Sequence, residues 1–174
     1  MSMWERFGQF GSADEINRAA AAQKAEGDEE ALVALALENG FDREDAEDYM
    51  DGITVGDKFC TQMSAAIGRL RVEAEHLELK NEFAELYEEL VTELMGPRKD
   101  EIKWGIMRKD RSLAGYLAKI IDKGYEKAVT PNREILDKVT AIPQQYRSQM
   151  KTGIPNKAER KKIMMEYYGT GVSQ

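Results

Sequence analysis

Apolar residues recur three and four positions apart along most of this chain, between residues that start and stop helices. Ser12 opens S-A-D-E, a capping box: its hydroxyl takes an early helix N–H and Glu15, three residues on, answers back. That helix runs through Ile16 and the alanines at 19–22 to about Glu26, and Gly27 supplies the left-handed stop. Asp28 caps a second helix through Leu32, Leu35 and Ala36 that ends at Asn39-Gly40. Asp42 caps a third, with Ala46, Tyr49 and Met50 on one face and Gly52 behind it. Together they predict an acidic three-helix unit over 12–52.

The middle of the chain, 53–97, predicts a helical pair. Met63, Ile67, Leu70, Ala74 and Leu77 are spaced 4, 3, 4, 3, a heptad seam that serves an intramolecular hairpin or, as the other reading, a homodimer. Phe83, Leu86, Tyr87, Leu90, Val91 and Leu94 form the second stripe, stopped at Gly96-Pro97. Residues 98–111, RKDEIKWGIMRKDR, read as a basic junction holding Trp104. A helix from Ser112 turns Leu113, Leu117, Ile120 and Ile121 inward. Thr130-Pro131 then reads as N-cap and first residue of another helix, Pro143 opens a short one, and Pro155 the last, ending at Tyr167-Tyr168-Gly169. These make a basic helical unit over 98–174. Residues 1–11 and 170–174 read as looser ends, although Trp4, Phe7 and Phe10, every third residue, favour docking of the N-terminus. No segment alternates as a strand must and no repeat appears. The expected fold class is all-α.

Charge changes this picture. Residues 1–100 carry 24 acidic and 10 basic side chains, net −14; residues 101–174 carry 8 and 15, net +7. Two candidate surfaces follow. Asp42, Glu44, Asp45, Glu47, Asp48 and Asp51 either imitate a row of phosphates against a basic partner or form the wet face of a short helix. In the tail, residues 131–151 read as helix, turn, helix, with Ile135, Leu136, Val139, Ile142 and Tyr146 as a small core. Gln144, Gln145, Arg147 and Ser148 would then face a major groove. Arg147, Lys151, Lys157, Arg160, Lys161 and Lys162 are the candidate phosphate or partner contacts. A solvated helical hairpin is the plainer reading of the same residues.

Catalysis finds little to stand on. Cys60 and His76, each the single residue of its type, lie on what reads as one helical stretch, about 24 Å apart at 1.5 Å per residue. DREDAEDYMDG (42–52) has the acidity of a calcium loop but puts Ala46 and Glu47 where an oxygen ligand and a glycine are needed. No phosphate-binding glycine loop is present. One cysteine excludes an internal disulfide, and no apolar run approaches the roughly 20 residues of a membrane span. The expectation is a soluble, cytoplasmic, non-enzymatic protein with no cofactor and no metal.

Four phrases carry a resemblance: SADEINRAAAAQKAEGDEEALVALALENGFDREDAEDYMDG (12–52), AAIGRLRVEAEHL (65–77), RKDRSLAGYLAKI (108–120) and GIPNKAERKKIMMEYYG (153–169). With them the chain resembles a group of small mobile-element proteins of gut Firmicutes. That group includes anti-CRISPR inhibitors of type II-A Cas nucleases, the family numbered eleven in that series. The resemblance implies an inhibitor that binds a type II CRISPR effector nuclease, free or guide-loaded, and blocks DNA binding or cleavage. It transfers no active-site residue. The other expectation is a DNA-binding regulator or accessory factor of a mobile element, using the tail on nucleic acid. Neither reading uses Cys60 or His76, so Cys60→Ser and His76→Ala should each leave inhibition unchanged. Loss of inhibition in either variant, with its circular dichroism intact, contradicts the non-catalytic reading.

Overall fold

The computed structural model describes residues 3–96 and 100–169. Among these it holds ten α-helices and no strand, so the fold is all-α. The caps read from the sequence are in use. α1 (Ala13–Glu26) starts on Ser12, whose hydroxyl accepts from the Glu15 N–H at 3.3 Å. The Glu15 carboxylate reaches one residue further back than a standard box, to the Gly11 N–H at 2.7 Å. α2 (Glu29–Glu38) is capped by Asp28, and α3 (Arg43–Met50) by a box in which Asp45 accepts from the Asp42 N–H at 2.8 Å. α4 (Gln62–His76), α5 (Glu82–Leu94), α6 (Asp100–Met107) and α7 (Leu113–Glu126) follow. α8 (Arg133–Lys138), α9 (Gln144–Arg147) and α10 (Lys157–Tyr168) complete the chain. Pro97 of the expected stop, and the C-terminal end 170–174, lie outside the described residues.

One hydrophobic cluster runs from Ile16 of α1 through Leu35, Leu70, Leu94, Ile106 and Leu117 to Met164 and Tyr168 of α10. α4 is its axis, packed against α1, α5, α6 and α7. A helix with four neighbours cannot bury one seam. The buried stripe of α4 is Ala65, Ala66, Arg69, Leu70 and Glu73, and of the heptad set only Leu70 is fully buried. Ile67 and Ala74 pack at the core's edge and Leu77 is exposed, so the seam offers no stripe to a second copy. Gly68 lets the end of α2 approach: a methyl on it would strike the Asn39 carbonyl oxygen, and one on Gly40, at φ 73°, the Gly68 carbonyl.

α6 corrects the sequence reading of 98–111 as a junction. Ile102, Ile106 and Met107 are buried, while Trp104 is exposed. Two isoleucines four apart are too short a pattern to stand out among basic residues. α6 and α10 meet backbone to backbone, since a methyl at Gly105 would fall on the Tyr168 carbonyl. In α7, Leu113, Leu117 and Ile120 are buried as expected, but Ile121 is exposed. The N-terminus is docked: the Glu38 carboxylate accepts from the Arg6 and Phe7 N–H groups at 2.7 and 3.0 Å, and Phe7 and Phe10 pack on the core.

A buried ion pair joins these layers. Arg69 and Glu73, one turn apart on α4, are 4% and 3% exposed and hydrogen-bonded at 3.0 Å. Arg69 also donates to the Met107 carbonyl at 2.6 Å and the Arg111 carbonyl at 2.8 Å. Glu73 accepts from the Leu113 N–H. The cation therefore closes the C-terminus of α6 and the anion the N-terminus of α7, each at the helix end whose dipole favours it. Taking one partner away strands the other in the core, at a cost of about 3–5 kcal/mol. Arg69→Met and Glu73→Leu should each lose that much in urea unfolding, and the double variant clearly less than their sum. Single variants within about 1 kcal/mol of wild type contradict the assignment.

Candidate functional site

The basic candidates are mostly engaged inside the molecule. α10 starts on Asn156, which forms a capping box with Glu159. On its inner side Arg160 donates to the Glu89 carboxylate of α5 through Nε at 3.1 Å and Nη2 at 2.6 Å, and through Nη1 to the Pro155 carbonyl at 2.7 Å. Lys161 pairs with Glu93, one turn along α5, at 3.0 Å. Lys127 pairs with Glu159. Two ion pairs thus tie α5 of the acidic half to α10 of the basic half. Lys162 pairs with Glu166 on its own helix at 3.7 Å. Lys157 and Lys151 are exposed, with no ion pair among the described residues.

The expected helix-turn-helix is not built. α8 begins two residues later than the sequence suggests, on Asn132 rather than Thr130, and α9 is a four-residue turn with no buried residue. Of the proposed small core only Leu136 is buried; Ile135 and Tyr146 are exposed. Arg147 donates to the carbonyls of Ile142 (2.9 Å) and Asp137 (3.3 Å), so it ties the turn together instead of facing outward. Gln144, Gln145 and Ser148 lie exposed on a segment too short to act as a recognition helix. The excursion is closed at its base by the paired backbone bonds of Val129 and Thr152, both 3.0 Å.

The acidic candidates divide. Asp42 and Asp45 are spent on the capping box, and Asp42 also pairs with Arg71 at 3.4 Å. Glu47 pairs with Arg43. Glu44, Asp48 and Asp51 are exposed, carry no ion pair among the described residues and are spaced four and three, so they share one face. Two of them sit at the C-terminal end of α3, where negative charge opposes the dipole. Lys24, donating to the Tyr49 carbonyl, is the cation placed at that end. Asp48 and Asp51 therefore do no structural work that the fold displays, and Glu44, in the first turn of α3, contributes only a favourable interaction with the helix dipole.

Cys60 is buried, its thiol aimed at the Ala13 carbonyl 3.9 Å away. Burial, and then the charge of Asp14, push its pKa up to about 12, so at neutral pH it is a packed thiol and a poor nucleophile. His76 is exposed at the far end of α4. Among the described residues no three His, Cys, Asp or Glu side chains are grouped to hold a metal, and no helix is long and apolar enough to cross a membrane.

Comparison with known protein families, with characterised proteins and with solved structures finds no match to this chain. The arrangement presents an exposed acidic face on a short helix, on a scaffold where three of the four basic residues of α10 are paired. Sequence reasoning did not foresee the α5–α10 pairing, because its partners are 71 residues apart; the opposed net charges of the halves were its one signal. Arg160→Ala should lower stability by about 1.5–3 kcal/mol, the usual range for hydrogen bonds to charged groups, and Lys162→Ala by about 0.5 kcal/mol or less. Equal effects in chemical denaturation contradict the division between them.

Proposed function

We propose that this chain is a stoichiometric protein inhibitor of a type II CRISPR effector nuclease, and that Glu44, Asp48 and Asp51 form its contact with a basic nucleic-acid-binding surface of that nuclease. The observation that carries the reading is the free acidic face of α3, in a protein whose other candidate charges are largely paired. The resemblance of residues 12–52 to the inhibitor group supports it, since that phrase contains the whole of α3. Such nucleases hold their nucleic acids in positively charged channels. Carboxylates placed there gain attraction, steer encounter and compete with phosphate without any chemical step.

The regulator reading needs a recognition helix and a free basic face. A single-turn α9 and the engagement of Arg160 and Lys161 with α5 weigh against both. The test is target-DNA cleavage by guide-loaded nuclease, titrated with wild type and with Glu44→Lys/Asp48→Lys/Asp51→Lys. The triple variant leaves the caps intact, so it should fold normally. It should need about tenfold more protein for the same inhibition, about 1.4 kcal/mol of lost binding, and added salt should weaken the wild type. Unchanged inhibition returns the three acids to a solvated face. Sequence-selective duplex binding by the protein alone would favour the regulator.

A further inference from the structure

An apolar groove is left open. The start of α5 (Glu82, Phe83), the second half of α7 (Ile121, Tyr125) and the segment leading into α10 (Lys151, Ile154) enclose about 600 Å³. Phe83 is 40%, Ile121 54%, Tyr125 79% and Ile154 78% exposed. Together these side chains show water roughly 500 Å² of surface, at the upper end of the single patches that monomers carry. That is more than half of the roughly 800 Å² per partner that a stable interface buries.

We infer that a second copy of this chain covers the groove, in a two-fold homodimer. The patch has both halves of a self-complementary contact: a recess, and at its edge a tyrosine that stands almost wholly in solvent. Its charges say the same. Glu82 and Lys151 line the one groove, and neither has an ion pair among the described residues. In a two-fold interface each residue meets its counterpart's partner, so one acid and one base on a patch make two equivalent pairs. A partner surface of single sign would gain one of them and repel the other. The groove takes no residue from α3, so the homodimer is separate from the inhibitor reading and stands or falls without it.

Sedimentation of the full chain over a range of concentrations tests this. Wild type should show a reversible dimer. Tyr125→Glu and Ile154→Asp, both in mostly solvated side chains, should each weaken it about tenfold or more with circular dichroism and melting unchanged. Glu82→Lys and Lys151→Glu should each weaken it, and the two combined should restore it, which a merely structural role for either residue would not produce. A wild type that stays monomeric at millimolar concentration overturns the proposal. So does a dimer that survives both Tyr125→Glu and Ile154→Asp, or single charge reversals that the combined variant fails to repair.

Discussion

Four elements of this fold converge on two side chains one turn apart on α4. α6 ends on Arg69, α7 begins on Glu73, the chain between them is held by the same guanidinium, and Trp4 of the docked N-terminus lies against it, 5.7 Å from the ring centre. From the other side the Ser112 N–H donates to the Tyr167 hydroxyl at 3.1 Å, and the Tyr168 hydroxyl donates to the Ser112 carbonyl at 3.3 Å. The turn from α6 to α7 is thus pinned between α4 and α10. A buried pair adds little to stability over an apolar filling, but it fixes which helix end meets which. That matters in a small bundle, where apolar stripes alone would tolerate several registers.

The opposed charges of the two halves serve the same end. Taken as totals they suggest two outward-facing surfaces. In the fold part of this charge is turned inward, where Arg160 and Lys161 of α10 hold Glu89 and Glu93 of α5. Glu44, Asp48 and Asp51 lie outside this pairing and share one exposed face of α3. The phrases that carry the family resemblance fall on α1–α3, α4, α7 and α10. They include Arg69, Glu73, Arg111 and Arg160, so they describe the scaffold and the acidic helix together.

Local signals were readable wherever one short-range interaction decides the outcome. Ser12, Asp28, Asp42 and Ser112 each cap the helix expected of them, because an N-cap bond spans two or three residues. α6 was missed because its burial comes from α4 and α10, not from its own pattern. α8 and α9 were overread: the apolar residues at 135, 142 and 146 suggested a core, but nothing packs over them, so only Leu136 is buried. At the site, the residue types were legible and the division between them was not. Asp42, Asp45, Arg147 and Arg160 look the same in sequence as Glu44, Asp48, Lys151 and Lys157. Only the partners separate structural charges from free ones.

The proposed inhibitor would act by occupying a surface that the nuclease otherwise gives to nucleic acid. Equilibrium competition measures that directly: labelled target DNA on guide-loaded type II nuclease, displaced by increasing amounts of the protein, at low and high salt. The account predicts a complex of protein and nuclease that excludes the DNA and weakens as salt rises. No complex with the nuclease, or one that holds protein and DNA together with equal affinity at both salt concentrations, would contradict it.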